Sequence, residues 1–122
     1  MGVGIDLLEI DRLERALERH PRLADRVFTQ AEQDYAADRA RPGKHLAARF
    51  AAKEAVAKAL GAPVGLRWLD AGVRRDDSGR PTMEVSGTIA ARAAELGVDV
   101  FHLSLSHDAG IASAVVIAER SA

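Results

Sequence analysis

"VFHLSLSHDAGIASAVVIAE", residues 100–119, decides the fold class. In its first half Phe101, Leu103 and Leu105 alternate with His102, Ser104 and Ser106, the period of a strand with one face covered. The second half, Ile111 to Glu119, is rich in alanine and β-branched residues, and the "DAG" between the halves is turn chemistry. Strands joined by so short a connection pair antiparallel, so the chain ends in a β-hairpin. Working back, residues 71–76 and 82–86 alternate weakly about "DDSGRP", which reads as another hairpin with Gly79 in its turn. At the far end, residues 2–8 of "GVGIDLLEI" read as a strand with Val3, Ile5 and Leu7 on one face.

Helices fill the intervals. "DRLERALERH", residues 11–20, opens with Asp11 and Glu14 at capping-box spacing and stops at Pro21. Ile10, Leu13 and Leu17 share one of its faces, while Arg12, Arg15 and Arg19 fall on roughly the opposite one, and Arg22 and Arg26 continue the basic series. "TQAE", Thr29 to Glu32, repeats the capping pattern and opens a helix to about Arg39. After a basic loop, "RARPGK" at 39–44, the alanine-rich "HLAARFAAKEAVAKAL" at 45–60 is the strongest helical segment, stopped by Gly61 and Pro63. "GTIAARAAEL" at 87–96 gives a short helix ending at Gly97. Strands at both ends and in the middle, with helices between, predict an α+β fold with a mainly antiparallel sheet, as a single domain over residues 1–122.

Composition narrows the chemistry. With 17 basic and 18 acidic residues the net charge is −1, so an electrostatic partner has to be met by a local patch, and wholesale nucleic-acid binding is disfavoured. The absence of cysteine excludes disulfides, thiolate catalysis and cysteine-ligated zinc together. What remains is Asp, Glu, His, Lys, Arg or a hard metal. The acidic start of the chain lacks the pattern of a signal peptide and no apolar run is long enough to span a membrane, so a cytoplasmic location is expected.

Asp6 stands out first, because a carboxylate inside an apolar strand requires a cationic or hydrogen-bonding partner. Backbone N–H groups at the strand end are one candidate. In the long helix, Arg49 and Lys53, and Glu54 and Lys58, are four residues apart. That spacing is ordinary on a charged surface, where such a pair contributes a few tenths of a kcal/mol. Glu54, however, shares a face with Phe50 and Ala57, the side expected to pack inward. Together Asp6 and Glu54 would offer two hard oxygen ligands, which suits Mg²⁺, an ion that retains waters and takes one or two carboxylates plus phosphate. His107 at a hairpin turn can meet an anion or simply face solvent, and "SGRP", Ser78 to Pro81, reads as a turn. The arginine face is either a solvated surface or a docking site for an acidic partner.

"GIDLLEI", "RVFTQAE", "HLAARFAAKEAVAKALG", "DDSGRP" and "HLSLSHDAGIASAVVIAE", in this order over nearly the whole chain, resemble the holo-(acyl carrier protein) synthases, the short class of 4′-phosphopantetheinyl transferases. The resemblance implies transfer of 4′-phosphopantetheine from coenzyme A to a serine of an apo-acyl carrier protein, releasing 3′,5′-ADP, in fatty acid or polyketide synthesis. It also implies that Asp6 and Glu54 hold Mg²⁺ against the pyrophosphate; the charge that develops in such a step then suggests that Lys58 steadies the phosphate. The serine proton goes to Glu54 or to a water on the ion; the water is the better base, since a carboxylate held by a cation is a weak one. Arg49 and Lys53 match positions at the phosphate end of the coenzyme A site, His107 a contact near its 3′-phosphate, and Gly79, Arg80 and Pro81 the place of adenine. Arg12, Arg22 and Arg26 match positions that grip the carrier's acidic helix. A homotrimer with sites between subunits is expected. Two other readings stay open: a catalytically silent coenzyme A binder, and an interaction domain that uses only its arginine face.

Overall fold

The computed structural model describes residues 1–121. Strand β1 (Gly2–Glu9) leads into α1 (Ile10–Arg19), a five-residue α2 (Leu23–Val27), α3 (Gln30–Ala37) and the long α4 (Pro42–Ala59). A single 3₁₀ turn (Trp68–Asp70) precedes the hairpin β2 (Ala71–Arg75) and β3 (Pro81–Val85), then α5 (Gly87–Leu96) and the hairpin β4 (Val100–Asp108) and β5 (Ile111–Glu119). All pairings are antiparallel, as expected, but the strands form two sheets: β1-β5-β4 and β2-β3. Between β4 and β5, Ala109 and Gly110 both have positive φ (51° and 79°), the turn whose twist matches that of the flanking strands.

Helix α4 is the spine of the molecule. Ala51, Ala52, Ala55, Val56, Ala59 and Leu60 are buried against Ala114, Val116 and Ala118 of β5, with Val73 and Ile89 closing the same core. Small side chains let helix and sheet approach closely, and β1 takes this furthest. A Cβ on Gly4 would lie 1.8 Å from the Ala55 carbonyl oxygen, and one on Gly2 would lie 1.9 Å from that of Ala59. Gly2, Gly4 and Asp6 therefore form the face of β1 turned to α4. Val3, Ile5 and Leu7, its apolar face, are 62%, 57% and 67% exposed. The strand that reads as buried thus carries its large apolar residues outward. Ile10, Leu13, Val27, Phe28 and Leu46 form a second core under α1 and α2.

Two local expectations are corrected. Asp11 does not cap α1: β1 runs straight into the helix, Glu9 occupies the capping position without a side-chain bond, and the Ile10 N–H donates to Gly110 O at 2.9 Å. Asp11 and Glu14 instead receive Arg41, whose Nη2 lies 2.8 Å from Asp11 Oδ1 and 2.7 Å from Glu14 Oε1. The loop at 39–44 is shorter than it reads, because Pro42 starts α4 at the first-turn position where its missing N–H costs nothing. Helix α2 is too short to leave a periodic signal. The capping box at Thr29 and Glu32 is present in full. Among the described residues no helix is long and apolar enough to cross a membrane.

Candidate active site

Asp6 has its partner. Lys58, four residues beyond Glu54 on α4, places Nζ 3.0 Å from Asp6 Oδ1 and donates to Ile5 O at 3.0 Å. The Asp6 side chain is mostly covered, the Lys58 side chain half exposed. The Glu54–Lys58 pair suggested by helical spacing is absent, because each side chain finds a partner off the helix. Glu54 Oε1 accepts the indole Nε1–H of Trp68 at 2.6 Å, and the Trp68 ring lies 6.0 Å from that of Phe50. Asp6, Arg12, Phe50, Glu54 and Trp68 line one open cleft of about 490 Å³, with Leu7, Leu13 and Leu23 among its apolar walls.

Two carboxylates so placed fit Mg²⁺ by their chemistry. Both are hard oxygen donors at the edge of one cleft, and among the described residues no cluster of three or more His, Asp or Glu completes an all-protein cage. That donor set matches an ion that keeps waters and phosphate in its shell.

Lys53, expected at the phosphate end of the coenzyme A site, has its ammonium engaged inside the protein. Its ammonium is fully buried, 2.8 Å from Glu32 Oε1, and donates to Trp68 O at 3.1 Å and Ala71 O at 2.6 Å. Three N–H donors therefore have three acceptors and none is left for a ligand. Burial pushes the Lys53 ammonium below its ordinary pKa, and Glu32 opposes this. Nor is Arg49 a surface residue. It is 1% exposed, with Nη1 donating to His45 O at 3.3 Å and its guanidinium 4.2 Å over the Tyr35 ring. Arg49 Nε is buried and has no partner among the described residues.

Tyr35 gathers the cations. Arg39 stacks on it at 4.1 Å, and Arg75 donates from Nε to its hydroxyl at 3.0 Å and from Nη1 to Gly79 O at 2.6 Å. Burial works to raise the Tyr35 phenol, but the Arg75 hydrogen bond and the charges of Arg75, Arg39 and Arg49 bring it below its usual value. His45 packs edge-on against Tyr35 and is held below its ordinary pKa by burial first, then by Lys44, Arg49, Arg39 and His107. Positive charge so concentrated suits a polyanion. Sequence reasoning missed Tyr35, Arg75 and Trp68. No spacing marks them, although Tyr35 and Trp68 are the chain's single tyrosine and tryptophan.

Gly79, Arg80 and Pro81 sit at the β2–β3 turn, where Asp76 Oδ1 accepts from the N–H groups of Ser78 (2.9 Å) and Arg80 (3.0 Å). Arg80 and Pro81 line a groove with β4, and exposed His107 stands near the end of that strand. Arg22 and Arg26, with Arg19 and His20, line a further cleft that shares Leu23 as a wall with the carboxylate cleft.

Comparison with known proteins agrees with this picture. The family model of the 4′-phosphopantetheinyl transferase superfamily matches residues 2–116. A Streptomyces avermitilis holo-[acyl-carrier-protein] synthase is 64% identical over 119 residues, covering 98% of this chain and 97% of that one. The crystal structure of the Neisseria meningitidis holo-[acyl-carrier-protein] synthase superposes with TM-score 0.88 at 30% identity, covering 98% of each chain. That of the Helicobacter pylori enzyme, in complex with coenzyme A, gives 0.83 at 29% identity, over 96% of this chain and 99% of the other. The chain belongs to the 4′-phosphopantetheinyl transferase superfamily, in its short holo-(acyl carrier protein) synthase class, as the sequence resemblance implied. It is an enzyme of that class.

Proposed function

We propose that the protein transfers 4′-phosphopantetheine from coenzyme A to the serine hydroxyl of an apo-acyl carrier protein of fatty acid or polyketide synthesis, with Mg²⁺, in the cytoplasm. The observation that carries this is one cleft lined by Asp6, Glu54 and Arg12, two carboxylates of a kind that suits Mg²⁺ and a cation of the arginine face. The serine oxygen attacks the pantetheine-side phosphorus, the bond from that phosphorus to the ADP-side oxygen breaks, and the serine proton is released; 3′,5′-ADP leaves. Mg²⁺ held by Asp6 and Glu54 would neutralise charge on the pyrophosphate as it develops. Lys58 keeps Asp6 in place and sets a half-exposed positive charge beside it. The cations about Tyr35 and His107 supply a site for the 3′-phosphate end, and the Gly79–Pro81 turn, tied to Tyr35 through Arg75, borders the base. Lys53 has no part in this site beyond holding the Trp68 segment.

The outer face of the three-stranded sheet supports the expected homotrimer. Val3, Ile5, Leu7 and Val115 form a contiguous apolar surface, as the pairing of Ile5 with Val115 requires. Such a patch is suited to burial against copies of the chain. The carboxylates and the Tyr35 cations would then complete a site between neighbours.

The decisive experiment is intact mass spectrometry of an apo-acyl carrier protein incubated with this protein, coenzyme A and Mg²⁺. A mass gain of one phosphopantetheine, absent after EDTA and restored by Mg²⁺, is expected. Coenzyme A binding without any gain on several carriers would instead favour a silent binder.

Arg12, Arg22 and Arg26 are exposed and Arg12 reaches the cleft, so charge there acts on the incoming carrier. Reversing Arg12 and Arg26 to Glu should reduce kcat/KM for the carrier by roughly tenfold or more at low salt and flatten its salt dependence, leaving coenzyme A affinity unchanged. An equal fall in coenzyme A affinity would remove these residues from the carrier surface.

A further inference from the structure

Trp68 is gripped at two points by consecutive residues of α4: Lys53 Nζ holds its carbonyl at 3.1 Å, and Glu54 Oε1 accepts its indole N–H at 2.6 Å. The anchor is rigid, because Lys53 is fully buried in its pair with Glu32. The segment around Trp68 is pinned from the other side too. Asp70 Oδ2 accepts both the N–H and the hydroxyl of Thr88 at the start of α5, and the Arg67 N–H donates to Thr88 Oγ1 at 2.9 Å. Yet Trp68 is 45% exposed, so core packing alone does not account for its orientation. Its polar edge is spent on one oxygen of one carboxylate.

We infer that Trp68 is a positioning residue for Glu54: its indole N–H fixes Oε1 and so restricts the carboxylate that, with Asp6, would hold the cation. This rests on the metal-binding reading of Asp6 and Glu54 given above. A glutamate at a half-exposed helix position has several rotamers, and restricting it before the ion arrives removes an ordering cost from binding. Hydrogen bonds to the far oxygen of a ligating carboxylate act in this way, and their loss typically costs 10–100-fold in metal affinity or activity. The buried Glu32–Lys53 pair then has a role for the site without touching substrate, since it fixes the backbone from which the indole projects.

The test uses Mn²⁺ as a paramagnetic probe of the Mg²⁺ site and the unique indole ¹H–¹⁵N resonance of the single tryptophan, both with coenzyme A present. Trp68→Phe keeps a ring against Phe50 and removes the N–H. Expected are a tenfold or greater loss of Mn²⁺ affinity in Trp68→Phe by electron paramagnetic resonance, and an indole cross-peak in the unaltered protein that shifts saturably with Mg²⁺. Glu54→Gln should abolish both Mn²⁺ binding and the Mg²⁺-dependent shift. Should Trp68→Phe bind Mn²⁺ as tightly as the unaltered protein while Glu54→Gln does not bind it, the positioning role is wrong and the metal site stands. Should Glu54→Gln bind Mn²⁺ normally, the metal reading itself fails. The cross-peak is measured on the unaltered chain, so the inference is testable even if Trp68→Phe does not fold: an indole resonance unmoved at saturating Mg²⁺ overturns it.

Discussion

Glu54→Gln is expected to lower kcat/KM for phosphopantetheine transfer by about 10³-fold or more while leaving the melting temperature within a few degrees. The size follows from what the substitution removes. A hard anionic ligand becomes a neutral amide, and metal stabilisation of charge developing in the transition state is worth several kcal/mol, each 1.36 kcal/mol being about tenfold in rate. The fold should survive because the Gln carbonyl can still accept the Trp68 indole N–H, the one side-chain hydrogen bond of Glu54 among the described residues. The assay is initial rate by mass spectrometry across a Mg²⁺ series, paired with thermal unfolding. Full activity in a folded Glu54→Gln variant would end the two-carboxylate mechanism.

Glu32→Gln carries the largest expected effect on stability. Glu32 is 1% exposed and both its oxygens are taken by donors: Oε1 takes Lys53 and the Thr29 N–H, and Oε2 takes the Val73 N–H at 2.9 Å. An amide in that place brings its own N–H₂ against one of those donors and withdraws the charge that keeps the Lys53 ammonium in the core. Removing one partner of a buried pair costs about 3–5 kcal/mol. Chemical denaturation should therefore show a lowered midpoint with an unchanged slope. Lys53→Met should cost a similar amount, since it strips the donor from two carbonyls and strands the carboxylate. The double variant should lose less than the sum of the two, because no charge is then left alone. Strict additivity would mean that the residues do not act as a unit.

Part of the candidate cleft's lining was readable from residue types. Asp6 was conspicuous as a carboxylate in an apolar strand, and Glu54 as one on a helix face shared with Phe50; the structure brings both to one cleft. The arginines of α1 and α2 were equally legible, because amphipathic spacing separates an exposed stripe from an apolar one and needs no tertiary information. The charged pairs of α4 misled for the same reason. Spacing of four puts Lys53 beside Arg49 and Glu54 beside Lys58, but it is silent about what lies across from the helix. Glu32 on α3, Trp68 in the 3₁₀ turn and Asp6 on β1 captured those groups instead.

The sequence by itself determined the order and type of nearly every element, the two hairpins with their turns, and the capping box at Thr29, because each depends on backbone preferences within a few residues. Tertiary structure alone decided which charges are buried and which face of β1 is outward. An alternating pattern states that two faces differ but not which one meets a helix. For β1 the answer lay in Gly2 and Gly4, whose missing side chains let α4 approach to backbone contact and so leave Val3, Ile5 and Leu7 facing out. Likewise, a charged lysine in the core needs acceptors for its three N–H groups. For Lys53 these come from α3, the 3₁₀ turn and β2, distant in the chain and joined only when the core closes over α4.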